Sequence, residues 1–296
     1  MEENLKVNQV ESETEETQNN KNGSSSFIKD FFIEEQAEKI KDLADLFGQS
    51  EAEIKKEFGN FKAKKIYKKL NYFIDNRFRL SKDLKSCLEL AVKHEFYGVT
   101  VFQSAMEIAK NTILGSKVKL RVLVNYPQGE DDFNTVKCAV KLAKRGGADE
   151  IAVMLSAFYY RNYDSLETVK RVKKLLRVAR NKKLVIILDS ANLSRIEIEN
   201  AIKTLISSGV YNILIANSKA RLDRDALNDA IKLCTDKVFI ECLDKISLAE
   251  PTVSILTSGV DFLTSEYAPE IVTDLNDKIN ANTESGCKPL DKTDKE

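Results

Sequence analysis

From residue 73 onward the chain alternates short apolar, β-rich runs with amphipathic helical segments, and it does so eight times. The runs cover residues 73–74, 97–102, 120–126, 150–155, 184–189, 211–216, 238–242 and 261–265. Helical segments fill the gaps at 84–94, 105–113, 133–145, 166–180, 195–207, 224–234, 248–256 and 269–279. Near-continuous apolar strands are those buried on both faces, and parallel strands need a crossover of about a dozen residues between them. Eight such units in about 200 residues suit the α/β architecture of a (β/α)8 TIM barrel. An open, doubly wound sheet accepts the same rhythm, but no Gly-x-Gly-x-x-Gly turn follows the first strands.

The flanks have a different character. Residues 1–26 are rich in Glu, Asn and Ser with few large apolar side chains, and read as a disordered acidic tail. Phe27, Phe31, Phe32, Ile40, Leu43 and Phe47 recur at helical spacing, which predicts an amphipathic helix. Ser50 and Glu53 are spaced as a capping box for a second helix, and a basic stretch completes an N-terminal helical extension over 27–72. The barrel is then expected over 73–280, with a second disordered tail at 281–296.

Composition removes several function classes. Lysine plus arginine and aspartate plus glutamate both count 46, so no net charge recruits nucleic acid or an anionic membrane. No apolar run approaches the ~20 residues of a membrane span, and the start of the chain has no signal-peptide pattern, so a cytoplasmic protein is expected. Cys87, Cys138, Cys234, Cys242 and Cys287 are scattered without Cys-x-x-Cys spacing, which indicates neither a disulfide framework nor a zinc site. His94 is the sole histidine and falls in a helical run, where it reads as a surface residue. Neither a metal nor a cofactor is expected.

Basic runs at 55–85 and 170–183 read as solvated helix faces rather than a nucleic-acid surface, because Val172, Leu175, Leu176 and Ala179 supply a core stripe within the second. The partner is left unknown. The 27–47 helix is the candidate surface, whether it caps the barrel, pairs with its own copy in a homo-oligomer or meets a protein partner.

Three strings point further: Ile74-Asp75, Tyr126-Pro127-Gln128-Gly129 and Gly147-Ala148-Asp149-Glu150-Ile151. In this order and spacing they resemble the deoxyribose-phosphate aldolase family, over about residues 73–271. The resemblance implies a class I aldolase: a sixth-strand lysine forms a Schiff base, aided by a fourth-strand aspartate and a seventh-strand lysine. Such an amine must be neutral near pH 7, so it needs a neighbouring cation and a proton shuttle. Aligned on the family pattern, these positions fall on Leu214, Ala152 and Glu241, and Thr100 stands where the family has a small thiol. None of the three roles is retained.

The loops after the sixth, seventh and eighth strands read Ser218-Lys219, Asp244-Lys245 and Thr264-Ser265-Glu266, where phosphate-binding barrels offer glycine amides. The expected function is therefore a non-catalytic barrel used for binding, assembly or regulation. The alternative is a divergent aldolase, a carbon–carbon lyase acting on a small sugar or carbonyl substrate through a relocated Lys219 or Lys245. The expected mouth is lined by Gln103, Asn125, Asp189, Asn217, Glu241, Asp244 and Glu266. Oxygen ligands suit a hard cation or cationic ligand better than a phosphate, although polar residues belong at the strand ends of any barrel.

Overall fold

Eight parallel strands, each paired with the next in chain order, close on themselves when β8 returns to β1. They are β1 (Leu70–Phe73), β2 (Gly98–Phe102), β3 (Lys119–Val124), β4 (Glu150–Met154), β5 (Lys183–Asp189), β6 (Asn212–Ala216), β7 (Phe239–Leu243) and β8 (Phe262–Ser265). The connecting helices are α1 (Ser81–Lys93), α2 (Met106–Thr112), α3 (Phe133–Gly146), α4 (Ala157–Asn162), α5 (Ser165–Ala179), α6 (Arg195–Ser207), α7 (Arg224–Leu233), α8 (Ala249–Thr257) and α9 (Ala268–Glu284). The fold is a (β/α)8 TIM barrel.

This computed structural model describes residues 63–162, 165–234 and 237–284. The 1–26 tail, the 27–47 helix, the Ser50–Glu53 capping box, Cys287 and most of the 281–296 tail lie outside the described residues. Lys64–Thr273 form one compact unit, which is the barrel.

Local sequence explains most element ends. Asp132 accepts the amides of Asn134 and Thr135 at the start of α3, and Gly147 closes that helix at φ 97°, a backbone conformation that favours glycine. The buried stripe Phe133, Val136, Val140 and Ala143 seats α3 on the sheet. Ser194 and Glu197 form a full capping box on α6.

Two boundaries differ from the sequence reading. The first strand begins at Leu70, inside the segment read as helical extension, because residues 70–72 follow a lysine-rich stretch with helical spacing. Pairing decides the matter: Leu70 aligns with Leu263 and Asn71 with Gly98, and all four strand residues are buried. At the other end α9 continues to Glu284, past the expected start of the tail. The structure also adds α4 and a short helical turn at Gln103–Ala105, neither of which has a periodic signature.

The barrel interior is layered. Arg121, Glu150 and Lys183, at or near the N-terminal ends of adjacent strands, join Glu241, Asn71, Thr100 and Thr264 in a polar base. Above the base lies an apolar floor of Phe73, Leu123, Ala152, Met154, Val185, Ile187, Leu214, Ala216 and Leu243, with Phe102 and Tyr126 packed against it. The strand C-termini and their loops surround a cavity on top. No helix among the described residues is long and apolar enough to cross a membrane.

Candidate functional site

The loop after β1 brings three charged side chains to the mouth. Asp75 accepts the amide of Arg77 and binds its guanidinium through Nε at 2.9 Å and Nη2 at 2.6 Å. Burial would raise the Asp75 pKa, but these bonds and the Arg77 and Arg79 charges outweigh it and lower it. Arg77 also stacks over the Phe102 ring at 4.9 Å. Arg79 follows on the same rim.

Together with Tyr126, Pro127, Asn217, Ser218, Asp244, Lys245 and Glu266, these residues enclose a cavity of about 440 Å³ floored by Phe73 and Leu243. The Tyr126 hydroxyl is pushed up to about 12 by burial and by the charges of Asp189 and Glu266. It therefore stays protonated, a neutral hydrogen-bonding group at the edge of the floor. Asp244 accepts the amides of Leu222 and Lys245, and Asn217 accepts those of Lys219 and Ala220.

The base beneath the floor is the most unusual feature of the barrel. Arg121, fully buried, contacts Glu150 at 2.5 Å and Glu241 at 2.6 Å, reaching across from β3 to β7. Lys183 contacts Glu241 at 3.0 Å and Glu150 at 3.3 Å, and its ammonium lies against the rings of Tyr97 and Phe262. The Tyr97 hydroxyl donates to Glu150. Burial opposes the charged forms here, yet the paired charges win: Arg121 is shifted up by Glu241 and Glu150, and Glu150 is shifted down by Arg121 and Lys183. Two cations and two carboxylates thus fill the base as a neutral set.

Glu150 carries a testable pH dependence. Its pKa in the folded protein lies below that of an ordinary glutamate, so the stability it contributes is present above the ordinary carboxylate range and is lost as pH falls through the lowered value. Urea midpoints measured between neutral pH and pH values below the ordinary carboxylate range are expected to fall in the parent and to fall less in Glu150→Gln.

No family model matches the chain. The deoxyribose-phosphate aldolase of Mycoplasmoides pirum is 24% identical over 201 residues, covering 66% of this chain and 91% of that protein. The enzyme of the same name from Mycoplasma pneumoniae is 28% identical over 190 residues, 63% of this chain and 84% of its own length. The barrel is deoxyribose-phosphate-aldolase-like. Solved structures share its fold: the aldolase QR15 superposes with a TM-score of 0.67 at 15% identity, covering 73% of this chain and 98% of its own. A tetrameric deoxyribose phosphate aldolase from Aeropyrum pernix gives 0.64 at 11% identity, over 71% and 91% of the two chains.

In this aldolase-like barrel Leu214 and Ala152 are fully buried in the apolar floor. Thr100 donates to Asn71 at 2.8 Å in the base. Glu241 is not a mouth residue, as the sequence reading had it, because β7 runs one residue further than expected and holds Glu241 mid-strand at zero exposure. Gln103 is also removed from the mouth: it follows the inward Phe102 and directs its amide to Ala139 on α3. Asn125 and Asp189 stand at strand ends but bond to neighbouring strand-end and loop groups. Asn125 bridges Met154 and Asp131, and Asp189 accepts from Ala191, Asn192 and Ser218.

Of the expected lining residues, Asn217, Asp244 and Glu266 come together, with Lys245 beside them, while Lys219 reaches out to Asn192 at 3.4 Å. Sequence reasoning missed Arg77 and Arg79, which it counted only within a basic run. The barrel rule that the loop after each strand faces the mouth could have found them. They also correct the picture of a mouth dominated by oxygen ligands. Among the described residues no group of three His, Cys, Asp or Glu side chains converges as a metal site would require. His94 stacks on Phe96 with ring centroids 5.6 Å apart, and is half-buried rather than a simple surface residue.

Proposed function

We propose that this chain is a non-catalytic aldolase-like barrel that acts by binding at its mouth. The observation that carries the reading is the apolar floor, where Leu214 and Ala152 occupy the sites at which the family resemblance places an imine-forming lysine and a proton-shuttling aspartate. Lys183 lies below that floor, committed to Glu150 and Glu241. A Schiff-base amine needs neighbours that disfavour its charge, and two carboxylates do the opposite. The free thiols Cys87, Cys138, Cys234 and Cys242 support placing the protein in the reducing cytoplasm.

One observation favours a second reading. Lys245 lines the cavity near Arg77 and Arg79, so a divergent aldolase with a relocated amine has a candidate residue. A coupled assay for acetaldehyde release from deoxyribose 5-phosphate separates the two. Turnover indistinguishable from buffer is expected. Turnover that disappears in Lys245→Ala would refute the non-catalytic reading.

A further inference from the structure

We infer that the mouth cavity takes a small zwitterion with an apolar side chain, of the α-amino-acid type. This rests on the reading of the barrel as a binding protein. Six charged side chains line the cavity, and two of them neutralise each other. Arg77 and Asp75 clasp each other, and Asp244 accepts two backbone amides on Oδ1 alone. The side chains of Arg79, Lys245 and Glu266 make no hydrogen bond or ion pair among the described residues. Two available cations, the Glu266 carboxylate and the second oxygen of Asp244 therefore surround a floor made by Phe73, Leu243 and the Tyr126 ring.

Each simpler ligand leaves part of this arrangement unmet. A phosphate ester brings a second negative charge toward Asp244 and Glu266. A polyamine meets Glu266 but is repelled by Arg79 and Lys245. A neutral sugar pairs none of these charges and gains little from the apolar floor. An α-amino acid satisfies all of it: its carboxylate suits the planar guanidinium of Arg79 and the ammonium of Lys245 in the same cavity, its ammonium suits Glu266, and its side chain covers the floor. About 440 Å³ lies within the range of small-molecule sites.

Titration calorimetry on the full chain tests this with L-leucine and L-phenylalanine. Leucinamide lacks the carboxylate, 4-methylpentanoate lacks the ammonium, and glycine lacks the side chain. At least one amino acid is expected to bind, with each truncated probe at least about tenfold weaker. Arg79→Gln is expected to weaken L-leucine about tenfold and leave leucinamide unchanged, while Glu266→Gln weakens L-leucine similarly and leaves 4-methylpentanoate unchanged. Lys245→Gln, at an exposed position, replaces Arg79→Gln if that variant melts early. Silence with both amino acids, unchanged affinities in the variants, or binding of putrescine instead would overturn the inference. Silence without a borohydride-trapped adduct defeats only the ligand class. An adduct with a carbonyl compound defeats the binding reading itself.

Discussion

Arg121→Ala is expected to lower the unfolding free energy by about 3–5 kcal/mol, because breaking a buried ion pair strands its partner charge. Here two carboxylates lose a cation at once, since Glu150 and Glu241 both contact Arg121 and both lie within the barrel. Lys183 remains, but it enters from the N-terminal end of β5 and is partly open to solvent. Against a total stability of about 5–15 kcal/mol, such a loss is readily seen in a urea titration. Joint replacement by Arg121→Met, Glu150→Gln, Glu241→Gln and Lys183→Met removes all four charges of the base, Lys183 included because it pairs with both carboxylates, and is expected to recover much of it. A single-variant loss within about 0.5 kcal/mol, the scatter of ordinary surface changes, would show that the base network is not structurally coupled.

Leu214→Lys is the second large effect. The position is fully buried in the floor that also holds Ala152, Met154 and Phe73, and its register partner is Glu241. A lysine in such surroundings resists ionisation, with measured cases shifted by up to ~5 units, each worth about 1.4 kcal/mol. Destabilisation of several kcal/mol is expected, with no aldolase activity gained, because Ala152 supplies no proton shuttle and Glu241 is tied to Arg121 and Lys183. The urea midpoint and the acetaldehyde assay on the same preparation check both halves. A stable variant that turned over substrate would mean that the site needs only its lysine.

The strands were legible because each is an apolar run long enough to cross the barrel and short enough not to be a helix. Leu70–Phe73 escaped because the preceding lysines carry a helical pattern, and only pairing with β2 and β8 fixes it as strand. The base was invisible for a different reason. Strands buried on both faces show no in–out alternation, so nothing in the sequence marks Arg121 or Glu150 as inward, and Glu241 reads as a mouth residue, not as part of a base. Glu150 and Lys183 open their strands, where a charge looks like a loop residue, and Arg121 meets Glu241 only through closure of the barrel. Mouth residues were read from strand ends, which worked for Asn217, Asp244 and Glu266 and failed where Asn125 and Asp189 turn to neighbouring strand-end and loop groups.

The proposal that the barrel has no imine-forming amine is tested most directly by intact-mass measurement after borohydride reduction with deoxyribose 5-phosphate or acetaldehyde. The barrel described here predicts no site-specific adduct, with only the scattered background labelling that exposed lysines give. A single stoichiometric adduct mapped to Lys245, Lys219 or Lys183 would contradict it.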